Sequence, residues 1–142
     1  MATVARDIMT PNPVRCSPGT TLDEVAKMML DNDCGQIPIV DVNDCAIGVI
    51  TDRDIVCRVV AQRRNPVGCT VDACMSSPVV TVHEDDPLDE IVSIMERHQV
   101  RRVPVISDDG ACAGIIAQAD VARMAPKREV AELLREVSQH HS

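Results

Sequence analysis

In the stretch Gly48-Val49-Ile50-Thr51-Asp52-Arg53-Asp54 an apolar strand runs into a hydroxyl and, three residues on, a carboxylate. Thr51 falls where a helix N-cap belongs. Such a turn leaves backbone N–H groups and a positive dipole end facing outward, which suits a phosphate, while Asp54 one turn inside suits the diol of a ribose. The same spacing is also that of a plain capping box. An echo, Gly114-Ile115-Ile116-Ala117-Gln118-Ala119-Asp120, replaces the hydroxyl with Ala117 and keeps the carboxylate. A carboxylate that outlives its capping partner tips the reading toward a ligand.

The elements that must position these groups follow from hydrophobic spacing. Val4, Ala5, Ile8 and Met9 make a short helical run that Pro11 and Pro13 stop. Val14-Arg15-Cys16 is a brief extended run, and Thr20 is expected to cap a helix with an apolar stripe of Leu22, Val25, Ala26 and Met29. Met28 and Leu30 lie off that stripe, so the helix predicts a second contact surface. Ile37 to Val40 and Ala46 to Thr51 read as strands. Asp52 to Gln62 reads as a helix with Ile55, Val56, Val59 and Val60 on one face.

After a break at Arg63 to Gly68 the pattern starts again. Residues 9–55 superpose without a gap on residues 75–121 at a shift of 66. Identical pairs include Leu22/Leu88, Asp23/Asp89, Glu24/Glu90, Met29/Met95, Pro38/Pro104, Gly48/Gly114 and Asp54/Asp120, and most others exchange one apolar residue for another. An internal duplication explains this. In the second copy Asp86 takes the place of Thr20 as the expected cap, followed by Pro87. The expected organisation is a first repeat over 4–62, a linker over 63–70, a second repeat over 71–124, and an amphipathic helix and tail over 125–142. Two of the four histidines, His140 and His141, stand just before the last residue, Ser142.

Bulk composition removes several classes of function. A net charge of −8 and the absence of every Phe, Tyr and Trp argue against nucleic acid, which needs a basic surface and, for single strands, stacking platforms. Seven cysteines, with no C-x-x-C pair, do not form a secreted disulfide framework. No segment has the ~18 apolar residues of a membrane span, and no signal peptide is evident, so a cytoplasmic protein without a membrane partner is expected. Neither His83, beside Glu84 and Asp85, nor His98 has a nucleophile placed by sequence, so no enzyme is expected. Cys69 and Cys74 fit no common zinc spacing, and no metal is expected. The wide apolar helix faces predict a homodimer, with any signal passed to a separate effector protein that the sequence does not identify.

Two ungapped strand-helix-strand-strand-helix repeats, each with an apolar-Pro-apolar strand and an ending Asp, resemble tandem CBS domains over about residues 4 to 124. Gln99-Val100-Arg101-Arg102-Val103-Pro104-Val105 and Thr51-Asp52-Arg53-Asp54-Ile55 are the runs most typical of the family. The layout is similar to that of small stand-alone bacterial CBS-pair proteins of the hypoxic-response type. The resemblance implies an α/β (α+β) fold of two repeats packed with pseudo-twofold symmetry, plus a C-terminal helix. It also implies clefts for an adenine nucleoside or nucleotide (AMP or ATP foremost, then ADP, S-adenosylmethionine or NAD). By the same resemblance Asp54 and Asp120 would hold ribose hydroxyls, Thr51 a phosphate or ribose oxygen, and Arg101 and Arg102 a phosphate. Ile37 and Val103 are candidates for the aliphatic walls that grip an adenine in a chain without aromatics. Gly35-Gln36 stand where the second repeat has Arg101-Arg102, so the two clefts are expected to be unequal. The alternatives are a ligand-free dimerisation module and, behind it, a Cys/His metal or redox sensor.

Overall fold

The computed structural model describes residues 3–75 and 79–124. The helix expected after residue 125, and His140 and His141, lie outside them. In chain order the elements are α1 (Ala5–Ile8), β1 (Thr10–Pro11), α2 (Leu22–Asn32), β2 (Gln36–Val40), β3 (Ala46–Thr51) and α3 (Asp52–Ile55), which continues as a π-helical turn over Val56–Val60. Short 3-10 turns cover Pro66–Gly68 and Val71–Ala73. Then come β4 (Val82–His83), α4 (Leu88–His98), β5 (Arg102–Ile106), β6 (Cys112–Ala117) and α5 (Gln118–Met124).

The chain divides into two compact units, neither of them a continuous stretch. One comprises residues 3–12, 80–109 and 113–124, and the other residues 13–75, 79 and 110–112. Each unit thus includes a segment belonging to the other repeat. In the first unit Val4 bridges Pro87, and in the second Thr70 bridges Thr21. These pairs are related by the 66-residue shift (4 to 70, 21 to 87), so the exchange itself is duplicated.

The second unit is built on the antiparallel pair β2–β3, in which Gln36 stands opposite Thr51, Ile37 opposite Ile50 and Pro38 opposite Val49. Cys16 bridges Ile39 in parallel on the other side of β2. In the first unit β4 pairs in parallel with β5, Val82 opposite Val105, which is the same contact moved by 66 residues. There the sheet grows to four strands in the order β1-β6-β5-β4. β1 pairs antiparallel with β6, Pro11 opposite Gly114, and a Cβ at Gly114 would collide with Met9 Sδ and lie 2.9 Å from the Thr10 carbonyl. Only glycine allows that approach.

Each unit has its own core. Leu22, Val25, Ile37, Ile39, Ile50 and Val59 are wholly buried in the second unit, and Ile91, Met95, Val103, Val105, Ile116 and Val121 in the first. Burying a side chain such as Leu22 contributes roughly 1.5–3 kcal/mol, so aliphatic residues alone sustain both cores. α2 and α4 supply the apolar stripes and stop alike, with Asp33 (φ 50°) and Gln99 (φ 56°) in the left-handed conformation at the C-cap.

Two local expectations are corrected. Thr20 does not cap α2: Thr21 is the N-cap, and Thr20 Oγ1 accepts the Ser17 N–H at 3.3 Å. Asp86 likewise accepts the His83 N–H at 2.9 Å and leaves Pro87 at the N-cap of α4. In both repeats the short polar side chain satisfies the preceding turn rather than the helix. On the last helix of the second unit only Ile55 and Val59 are buried, while Val56 and Val60 are about half exposed (56% and 55%). The π-helical turn begins at Val56, and the two valines face away from the core.

Candidate functional site

Thr51 ends β3 and caps α3 in a full reciprocal box. Its Oγ1 accepts the Asp54 N–H at 3.1 Å, and Asp54 Oδ2 accepts the Thr51 N–H at 3.0 Å. The Asp54 carboxylate is 14% exposed, and Oδ1 lies 3.8 Å from Arg58 Nε, an ion-pair distance that leaves its lone pairs without a hydrogen bond from that group. Arg58 is held in turn by donating from Nη1 to the Cys74 carbonyl at 3.1 Å. One carboxylate oxygen therefore serves the fold, and the other lies beside a cation.

The first unit repeats half of this arrangement. Asp120 Oδ2 accepts the Ala117 N–H at 2.7 Å, and Oδ1 pairs with the Arg123 guanidinium. No hydroxyl returns the bond, as the sequence implies. The start of each helix is also tied to the strand entry: Asp52 N–H donates to the Gly35 carbonyl at 2.9 Å, and Gln118 N–H to the Arg101 carbonyl at 2.8 Å.

The sequence-derived residues thus fall into two groups. Thr51, Asp54 and Ile37 belong to the second unit, while Asp120, Arg101, Arg102 and Val103 belong to the first. Arg101 and Arg102 are exposed, and among the described residues neither makes an ion pair. Ile37 and Val103 have no exposed surface, and their side chains serve the two cores.

Sequence reasoning placed Gln36 only as the counterpart of Arg102 and Arg58 only among solvated or salt-bridging arginines, and assigned neither to the site. Gln36 opens β2 directly opposite Thr51, so the two side chains share a face of the sheet. It is only 7% exposed, the sole buried polar residue among those described. Its signal in the sequence was its place in the repeat, opposite Arg102 at the 66-residue shift. Arg58 carried a signal too, since it lies four residues after Asp54 on a helix. Gly35 precedes Gln36 for a steric reason: a Cβ there would stand 2.9 Å from Asp52 Oδ2.

No disulfide links any of the seven cysteines. Burial pushes the Cys16 thiol up to about 11, against a smaller opposing effect of the Thr20 hydroxyl. The Cys74 thiol is also raised, first by burial and then by the Asp54 charge, with Arg58 and Arg64 pulling the other way. Both shifts run opposite to the lowered value of an activated thiolate. Among the described residues no three His, Cys, Asp or Glu side chains converge to hold a metal. Cys69 and Cys74 belong to the second unit and the exposed His83 to the first. No described helix is long and apolar enough to cross a membrane.

The βαββα unit with a carboxylate at the head of its last helix thus occurs twice in the chain. A family model of the CBS domain matches residues 5–61 and again residues 71–127, and the chain belongs to that family as a tandem pair. It is 34% identical over 135 residues to hypoxic response protein 1 of Mycobacterium tuberculosis, covering 95% of this chain and 94% of that protein. To the uncharacterised protein MK0525 of Methanopyrus kandleri it is 36% identical over 121 residues, 85% of this chain but 59% of that longer protein. Among solved structures it resembles hypoxic response protein I with two coordinated zinc ions (TM-score 0.79, 37% identity, 87% of this chain and 100% of that one). It also resembles the CBS domain pair of protein MJ0100 in complex with 5′-methylthioadenosine and S-adenosyl-L-methionine (TM-score 0.78, 29% identity, 87% and 96%).

Proposed function

We propose that this protein is a non-catalytic regulatory module that binds an adenine nucleoside or nucleotide at the Thr51–Asp54 site, with AMP or ATP as the foremost ligands. The observation that carries this is the division of labour at Asp54, where Oδ2 holds the helix start while Oδ1 stands 3.8 Å from Arg58 Nε and is left as an acceptor. A vicinal diol supplies two donors to such an oxygen. The likeness to a CBS pair that holds two adenosyl compounds supports the ligand class. The module acts as a homodimer in the cytoplasm and passes its signal to a separate effector. Leu30, Val56 and Val60 support the dimer, as they are exposed on the neighbouring helical segments of the second unit.

The test begins with the ultraviolet spectrum of the purified protein. A chain without Trp, Tyr or Phe has no band of its own in the adenine region, so a band that survives nuclease and desalting reports a bound ligand, named by mass spectrometry after heat release. Titration with AMP, ATP and S-adenosylmethionine then compares wild type with Asp54→Asn. The amide oxygen still accepts the Thr51 N–H, but a donor takes the place of Oδ1, so binding is lost while the fold is kept. A wild type that neither carries nor binds any of these compounds refutes the reading.

A second reading has one observation in its favour. Both signature carboxylates are engaged in holding helix starts, which is all that a ligand-free dimerisation module requires of them. Zinc has less support, since the described residues offer it no converging ligands.

A further inference from the structure

The two signature carboxylates are covered to the same degree, with 14% of the Asp54 side chain exposed and 13% of that of Asp120. What differs is the state of Oδ1. Asp54 Oδ1 stands 3.8 Å from Arg58 Nε, too far for a hydrogen bond, and Arg58 is anchored elsewhere by its bond from Nη1 to the Cys74 carbonyl at 3.1 Å. Asp120 Oδ1 instead accepts a hydrogen bond from Arg123 Nη2. The contrast is one of spacing. Arg58 lies four residues after its carboxylate and Arg123 three. At the 66-residue shift Arg123 falls on Cys57 and Arg58 on Met124, so the two arginines are not copies of each other. Among the described residues the Arg123 guanidinium bonds to Asp120 alone, and most of its side chain is exposed.

Resting on the nucleoside-binding reading of the Thr51–Asp54 site and its repeat at Asp120, we infer that Arg123 is an internal competitor for the Asp120 carboxylate. Its guanidinium takes the place of a ribose hydroxyl, so the protein favours a nucleoside at Asp54 and weakens its own second site. The argument is one of lone pairs. A carboxylate oxygen has two of them, and a vicinal diol brings two donors. At Asp54 both lone pairs of Oδ1 are left to the diol, whereas at Asp120 Arg123 already holds one. Oδ2 offers no alternative there, since it accepts the Ala117 N–H at 2.7 Å. A ribose therefore engages Asp120 fully only by displacing the arginine. The pair is exposed and hence weak in water, so the competition is graded, costing the second site up to about fivefold in affinity. It is also electrostatic, and so yields to salt.

The test uses the full chain, with adenosine as an uncharged probe. Calorimetric titrations compare wild type, Asp54→Asn, and Asp54→Asn combined with Arg123→Ala, each at low and at high salt. D54N leaves only the Asp120 carboxylate to bind. Adding R123A is expected to strengthen adenosine binding about fivefold over D54N alone. Salt is expected to strengthen binding by D54N, since it screens the ion pair and leaves the neutral ligand untouched, and to have no such effect once Arg123 is gone. Equal binding by D54N and the double variant, while wild type binds through Asp54, overturns this inference alone. Weaker binding by the double variant overturns it as well, by making Arg123 a ligand contact, and so does a salt response that survives R123A. If wild type does not bind adenosine, the nucleoside reading falls and takes the inference with it.

Discussion

The reciprocal bonds between Thr51 and Asp54 allow the structural role of the signature carboxylate to be weighed apart from any ligand. Thr51→Ala removes one acceptor from the Asp54 N–H, and loss of such a cap costs ~1 kcal/mol. Asp54→Ala strips the Thr51 N–H of its partner in a part-buried place, where an unmet donor costs ~2 kcal/mol. Asp54→Asn keeps that acceptor and should cost less than ~1 kcal/mol. For a chain of this size a change of 1 kcal/mol moves the melting point by roughly 3 °C, so the series should read about 3, 6 and under 3 °C. The double variant Thr51→Ala/Asp54→Ala should cost less than the two singles added, because both bonds belong to one box. Urea unfolding followed by far-ultraviolet circular dichroism is the suitable assay, since the chain has no fluorescent aromatic residue. An Asp54→Ala variant within ~0.5 kcal/mol of wild type, or one less harmed than Thr51→Ala, would refute the assignment of Oδ2 to the helix start.

Other outcomes follow from the same geometry. Gly114→Ala should cost about 1–3 kcal/mol in urea unfolding, because the new Cβ meets the Thr10 carbonyl and Met9 and forces β1 away from β6. Leu30→Asp with Val56→Asp should shift the protein toward monomer in sedimentation or light scattering with little effect on the melt, both side chains being exposed in the single chain. Stability should hold up to about pH 9 and fall as the pH rises toward 11. The unfolded Cys16 thiol ionises near its ordinary value of 9.0 while the folded one keeps its proton to about 11, and Cys74 acts in the same direction. A pH series of melting points checks this, and a flat profile across that window would count against it. Arg15 donates from Nη1 to both Asp44 carboxylate oxygens, at 2.7 and 2.6 Å, and to the Cys112 carbonyl at 3.0 Å. Arg15→Met should therefore destabilise by ~1–2 kcal/mol in the same unfolding assay, more than an exposed ion pair would.

Local chemistry and spacing made much of this protein legible without coordinates. The 66-residue duplication is written in the sequence itself, and the helices over Leu22–Asn32 and Leu88–His98, the strands around Pro38 and Gly48, and Thr51 as a cap over Asp54 depend on neighbours within a few residues. Short-range rules govern such features. Helix starts at Thr21 and Pro87 were misplaced by one residue because Thr20 and Asp86 had a nearer turn to satisfy, a competition that sequence spacing does not rank. What only the tertiary structure decided involves partners far apart in the chain. The exchange of residues 3–12 into the unit of the second repeat comes from backbone pairing such as that of Val4 with Pro87. The exposure of Val56 and Val60 depends on where the core lies around a π-helical turn. The burial of Gln36 opposite Thr51 arises from strand register, and a polar residue whose sequence neighbours are a glycine and an apolar strand gives no local sign that the pairing of β2 with β3 will enclose it.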